Sequence, residues 1–227
     1  MTPYCIRKYQ DSDHRSVVDL FCRGMEEHIP ATFRHMLLLP RTLLLLLGVP
    51  LTLFLASGSW SLGLLSILTL FVTLWLLAKY TWEKYVTMCL HTDMADITRT
   101  YLSSRSSCFW IAESRGQMVG IVAALPVKDP LLQKKQLQLC HLSVSSEHRR
   151  EGIGKAMVRT VLQFAQKQGF SEVVLTTSML QYAALALYQG MGFQKTGETF
   201  YTYISQLRKS PMIHLKYCLT SPLEGDL

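Results

Sequence analysis

Hydrophobic and polar positions alternate at the start of the chain. Tyr4-Cys5-Ile6-Arg7-Lys8-Tyr9 predicts a short strand, with Asp11 or Ser12 placed to cap the helix after it. Val17, Val18, Leu20, Phe21 and Met25 then recur at helical spacing, and Gly24 and Pro30 punctuate the end. The pattern changes completely after Arg41. From Thr42 to Ala78 there is no charged residue, and Ser57-Gly58-Ser59 interrupts the run near its middle. As a single helix this stretch would reach about 55 Å, against a bilayer hydrocarbon core of about 30 Å. A hairpin of Thr42–Ala56 and Trp60–Ala78 fits better. Its first half is short and carries Gly48 and Pro50, which leaves a re-entrant or tilted segment open.

Helical spacing resumes from Trp82 to Tyr101 and breaks at Ser103–Ser107. Cys108–Ala112 and Met118–Pro126 read as a hairpin around Glu113-Ser114-Arg115-Gly116-Gln117. A loop covers Pro126–Lys135, and Gln136–Val144 is the next strand. A helix begins after Gly152, with Ile153, Met157, Val161 and Ala165 on one stripe, and Gly169 ends it. A short buried strand (Val173–Thr177), a helix (Tyr182–Met191) and two strands (Phe193–Ile204 and Met212–Leu219) complete the chain. This is an α/β fold, an α+β mixed sheet, with a hydrophobic hairpin inserted after the first helix.

Composition sharpens the picture in two places. The six cysteines are scattered without a Cys-x-x-Cys, which argues against a disulfide framework or a zinc site and for reduced thiols facing cytosol. The net charge of +7 lies mostly after the apolar run, with seventeen basic and eleven acidic residues over 79–227. A domain resting against anionic lipid accounts for this better than nucleic acid, since no basic stripe with interleaved aromatics occurs. Basic residues flank both ends of the run (Arg34, Arg41, Lys79, Lys84), which places both ends on the cytosolic side.

The candidate chemistry centres on the strand-turn-helix Leu139–Met157. Glycine at 152 and 154 lets backbone approach a phosphate closely, and the helix N-terminus offers unpaired amides and a partial positive charge. Amides from Arg149 through Arg150, Glu151, Gly152, Ile153 and Gly154 to Lys155 would hold the anion, with the Arg149, Arg150 and Lys155 side chains assisting or simply solvated.

Arg149-x-x-Gly152-x-Gly154, the β-α unit after it and Tyr188-x-x-x-Gly192-Phe193 together resemble the GNAT superfamily of acetyl-CoA-dependent N-acetyltransferases. Its order of elements, β-α-α-β-β-β-α-β-α-β-β, also matches when Tyr4–Met25 supplies the first strand and helix. At closer range, Leu39-Pro40-Arg41-Thr42-Leu43, Ser57-Gly58-Ser59-Trp60 and His91-Thr92-Asp93-Met94-Ala95-Asp96 are similar to the camello-like branch, N-acetyltransferase family 8. The resemblance implies a GNAT fold divided as residues 1–35 (first strand and helix), 36–78 (membrane segment), 79–220 (remainder of the acetyl-CoA-binding domain) and 221–227 (tail). It further implies an endoplasmic-reticulum membrane enzyme that acetylates cysteine S-conjugates, or, in a second reading, lysines of proteins in that compartment. A catalytically silent CoA-binding or membrane scaffold is the third. No metal is called for, and the oligomeric state is left open.

By the same resemblance, pantetheine pairs with the backbone at Leu142 and Val144, and Tyr188 protonates the departing thiolate. A phenol near pKa ~10 can donate to a thiolate near ~8.5. The alternative for Tyr188 is an aromatic packed on the core face. The base is less well marked. His141 is the candidate on the strand before the motif, although period-2 alternation turns it away from Gln138 and Cys140 unless a bulge intervenes. Glu113 and Asp93 are further guesses. Transfer is expected to be direct, without an acetyl-enzyme. The first strand and helix precede the apolar segment and the motif comes after it, so the segment must enter and leave on one side.

Overall fold

The computed structural model describes residues 4–127, 135–201 and 203–219. It divides into two compact units, Met1–Gly24 with Cys89–Leu227, and Met25–Met88. The expected loop over 126–135 falls largely outside the described residues, as does the tail at 221–227.

In the first unit, β1 (Tyr4–Lys8) leads through a 3-10 turn (Asp11–Asp13) into α1 (His14–Glu26). The turn is fixed by the Asp13 carboxylate, which accepts the Gln10 amide at 2.9 Å and the Arg7 guanidinium at 2.7 Å. Gly24 lies inside α1 rather than at its end, where its missing Cβ makes room for Ser143. After the second unit come β2 (Cys108–Ser114), β3 (Gln117–Pro126), β4 (Gln136–Val144), α5 (Ile153–Lys167), β5 (Glu172–Ser178), α6 (Tyr182–Gly190), β6 (Gln194–Thr199), α7 (Tyr203–Leu207) and β7 (Met212–Cys218). The strand expected over Phe193–Ile204 therefore stops at Thr199, and its last residues turn into the short helix α7.

Among the described residues the strands form one mixed sheet in the order β1-β2-β3-β4-β5-β7-β6. The β2–β3 turn has Arg115 and Gly116 at φ +51° and +77°, the left-handed pair that a two-residue hairpin requires. β4 and β5 are the parallel neighbours, and their pairing covers only Gln136–Gln138 against Glu172–Val174. Beyond Gln138 the two strands part. β5 continues along β7, while the corresponding edge of β4 carries no strand.

One face of the sheet is covered by α5. Its Ile153, Met157, Val158, Val161 and Ala165 are fully buried against Leu137, Leu139, Val173, Leu175 and Leu215. Each of these side chains larger than alanine contributes roughly 1.5–3 kcal/mol relative to exposure. The other face receives Val17 and Phe21 of α1 and Tyr101, which stands edge-on to Phe109 at 5.5 Å. Tyr101 sits in a π-helical turn, Thr98–Leu102; the helix expected over Trp82–Tyr101 is continuous only to His91 and is interrupted before this turn.

The second unit holds α2 (Ile29–Leu37), α3 (Pro40–Ser57) and most of α4 (Trp60–His91). Pro30 stands in the first turn of α2, where proline is tolerated, so it opens a helix instead of closing one. Gly58 at φ +66° terminates α3 and makes the expected turn. α3 and α4 approach closely there: a Cβ on Gly63 would lie 3.6 Å from the Pro50 carbonyl oxygen, and Phe54 stacks on Trp60 at 4.4 Å. α2 packs along α4 through Phe33 against Trp75 (5.5 Å), and the buried Trp82 indole donates to Thr32 Oγ1 at 2.8 Å. α3 and α4 are each long and apolar enough to cross a membrane, and no residue of α3 is buried.

Candidate active site

The turn after β4 leads into the start of α5 through two left-handed residues. A short 3-10 turn (Ser146–His148) is followed by Arg150 at φ +66° and Gly152 at φ +85°. Alternating left-handed residues in a turn point successive amides toward one side. No side chain caps α5, and its first helical hydrogen bond runs from the Ala156 amide to the Gly152 carbonyl at 3.0 Å. The amides of Ile153, Gly154 and Lys155 thus lie in the orphan first turn.

The two glycines differ in what they accommodate. A Cβ on Gly152 would meet nothing within 4 Å, so that position looks onto open space where a phosphate could sit. A Cβ on Gly154 would press on Leu187 Cδ2 at 3.3 Å and Val144 Cγ2 at 3.7 Å. Glycine at 154 lets α5 pack against α6 and β4. Ile153 offers only its amide, since its side chain is in the core. The Arg149 guanidinium is turned back onto β4, its Nε donating to the Val144 carbonyl at 3.2 Å. Arg150 and Lys155 are exposed, and Glu151 pairs with His148 at 3.4 Å. Leu142 and Val144 lie on the stretch of β4 past its pairing with β5.

Tyr188 is buried on α6, 5.6 Å from the Phe193 ring. Its helix ends in a tight cap in which the Phe193 amide returns to the Tyr188 carbonyl at 3.0 Å and Gly192 takes φ +95°. The spacing Tyr188-x-x-x-Gly192-Phe193 is therefore a device that fixes the tyrosine's carbonyl and ring together. Burial pushes the Tyr188 phenol well above its ordinary value. Its proton is retained at any physiological pH.

His141 departs from strand alternation. Ala123 pairs with Cys140 and Ile121 with Ser143, so His141 and Leu142 together oppose the single Val122. This is a β-bulge, and His141 takes the left-handed φ of +52° that goes with it. The ring is thereby delivered among α1 and the π-helical turn, edge-on to Phe21 at 5.2 Å. Its side chain is 5% exposed, and Nε2 lies 2.5 Å from Asp93 Oδ2. The Tyr101 hydroxyl donates to the same carboxylate oxygen, and Thr92 Oγ1 donates to Oδ1 at 3.1 Å. Nδ1 of His141 is buried and has no hydrogen-bond partner among the described residues. Burial acts to raise the Asp93 carboxyl, but the hydrogen bond and charge of His141, helped by Tyr101 and Thr92, hold it at about 2. The Tyr101 phenol is pushed far up by burial and by the charge and hydrogen bond of Asp93.

The sequence singles out His141 but does not link it to Asp93, forty-eight residues earlier. The other guess for the base, Glu113, is tied to Arg7 at 2.9 Å, on the far side of β2 from β4 in strand order. Cys140 beside His141 is no nucleophile: burial and the charge of Asp93 push its thiol up to about 12, whereas a reactive cysteine needs a lowered value.

Residues 74–193 match the acetyltransferase (GNAT) family. The chain is 88% identical over its whole length to mouse N-acetyltransferase family 8 member 7, which it covers completely. It is 60% identical to rat N-acetyltransferase 8, over 97% of this chain and 100% of that one. Among solved structures, an acetyltransferase of the GNAT family from Staphylococcus aureus Mu50 superposes with a TM-score of 0.59 at 13% identity, covering 96% of this chain and all of that one. That likeness concerns the fold alone. The matched family segment contains the bulged β4, the α5 turn and Tyr188, and with it the chain belongs to the GNAT superfamily, in N-acetyltransferase family 8, as an acetyl-CoA-dependent N-acetyltransferase.

Proposed function

We propose that the enzyme moves the acetyl group of acetyl-CoA to the α-amino group of cysteine S-conjugates at an endoplasmic-reticulum membrane, with its catalytic unit facing the cytosol. The observation that carries this is the α3–α4 hairpin, whose leucines, such as Leu44, Leu47, Leu55 and Leu64, are open to the surroundings. A bilayer covers such a surface, and amphiphilic amines with an apolar sulfur substituent concentrate at bilayers.

On this reading the pyrophosphate takes the amides of 149–155, and pantetheine lies along Leu142 and Val144 in the gap where β4 and β5 part. The acceptor enters from the sheet face opposite α5. There a groove of about 500 Å³ is lined by Gln138, Thr176, His214 and Lys216. His214 is held between Thr176 (2.9 Å) and Thr199 (2.8 Å).

The substrate ammonium loses a proton to His141 Nδ1, and the amine nitrogen forms a C–N bond to the thioester carbonyl carbon. As the C–S bond breaks, Tyr188 gives its hydroxyl hydrogen to the departing sulfur. Of the two protons the nitrogen loses, one replaces the tyrosine's and the other leaves to solvent. The raised phenol favours a tyrosine that is always protonated when the sulfur departs.

The test is CoA release by membranes carrying the full chain, given acetyl-CoA with S-benzyl-cysteine, aspartate or a lysine peptide. Turnover of S-benzyl-cysteine is the expected result, with Tyr188→Phe lowering kcat at least 10-fold. Turnover of the lysine peptide alone would replace the acceptor proposed here, and a Tyr188→Phe enzyme as fast as wild type would remove the acid.

A further inference from the structure

A role as base does not by itself account for the surroundings of His141. A buried imidazole, placed by a strained bulge residue, carries one nitrogen bound to a carboxylate and the other bound to nothing. A core histidine that served packing alone would leave that nitrogen a costly orphan. We propose that Asp93 is a positioning residue for acetyl transfer: it fixes His141 in the tautomer with hydrogen on Nε2, so that the lone pair on Nδ1 is the one presented to the substrate amine. This rests on the reading of His141 as base.

Three features of the geometry argue for it. A carboxylate accepts and does not donate, so at 2.5 Å from Nε2 it requires the hydrogen to be there. Tyr101 donates to the same Asp93 oxygen, and Thr92 to the other, so the carboxylate is satisfied as an anion rather than as an acid. The ring is flanked by Phe21, edge-on at 5.2 Å, and by Tyr101 at 6.3 Å, so its orientation is set by packing as well as by Asp93. When Nδ1 takes the amine's proton, the imidazolium forms against a carboxylate already in place. Tyr101 itself comes from a π-helical turn, an element that costs regular hydrogen bonding and is often kept for a site.

Two measurements on the full chain in detergent micelles test the proposal. In [15N]histidine-labelled protein, His141 is expected to show a protonated Nε2 and an unprotonated Nδ1 at neutral pH, and Asp93→Asn to move hydrogen onto Nδ1. A wild-type ring protonated on Nδ1 alone would overturn the proposal whatever the acceptor is. In turnover with acetyl-CoA and S-benzyl-cysteine, Asp93→Asn is expected to lower kcat by about 100-fold with the KM for acetyl-CoA unchanged. In a His141→Gln background the same substitution should change kcat less than 3-fold, since Asp93 then has nothing to act through. Additive losses would assign Asp93 a purely structural part. A fully active His141→Gln enzyme would instead strike down the base and leave acetyl transfer itself standing.

Discussion

At single residues, the site separates groups that meet the substrate from groups that shape the backbone. Gly152 faces open space at φ +85°, so alanine there meets two penalties: a left-handed backbone costing roughly 1–2 kcal/mol and a methyl group where the phosphates would lie. Gly152→Ala is expected to raise the KM for acetyl-CoA at least 10-fold while lowering the melting temperature by only a few degrees. Gly154→Ala, which presses on the movable end of Leu187, should leave that KM within about 3-fold. Steady-state kinetics of the two variants side by side decide this, and equal KM values would refute the division. Asp93 supports a second expectation. Its folded value of about 2 lies below the ordinary carboxylate value near ~3.9, so its stabilisation is complete above about pH 4 and is lost as pH falls through about 2. The amount is on the order of 2 kcal/mol. Thermal unfolding from pH 5 to pH 2 should show a loss in wild type that Asp93→Asn largely lacks; parallel curves would contradict it.

Among the elements, legibility tracked how local the cause was. β4 is set by its own alternation and turn residues, and its bounds Gln136–Val144 were readable directly. The Gly58 and Gly152 turns were readable for the same reason. The bulge at His141 was not, because it is decided by how β4 registers against β3, which no pattern within β4 records. Nor was the Asp93 partnership, which joins a post-helix turn to a distant strand. α4 runs on to His91, past the charged residues that end the apolar run, since Trp82 and Thr32 hold its polar end to α2. At about 1.5 Å per residue, α3 reaches about 27 Å and α4 about 48 Å, so α4 would project well beyond a 30 Å core. If α3 and α4 are inserted, the chain should stay with membranes through an alkaline carbonate wash and leave only in detergent. Recovery in the carbonate supernatant would make the hairpin a surface or protein-binding element instead.

For the molecule as a whole, the decisive fact is that β1 precedes the apolar hairpin and yet pairs with β2, which comes after it. Arg7 registers with Ile111 and Ile6 with Ala112 in a continuous antiparallel ladder. Strands cannot be hydrogen-bonded across a bilayer, where unpaired backbone groups cost several kcal/mol each. If the hairpin is inserted, the chain must therefore return to the side it left, and two inserted helices satisfy this while one does not. The described ends, at Tyr4 and Leu219, would then lie on the same side as β4, α5 and Tyr188. Epitope tags at residue 1 and residue 227 of the full chain, probed with protease in sealed microsomes, should be cut together or protected together. Digestion of both is expected, because Arg34, Arg41, Lys79 and Lys84 flank the hairpin and basic flanks favour the cytosol. The enzyme would then meet cytosolic acetyl-CoA and small amines at the membrane surface. Protection of both would put the same sheet in the lumen and favour protein lysines as acceptors. One tag cut and the other protected would be incompatible with the β1–β2 ladder, and so with an intact catalytic unit.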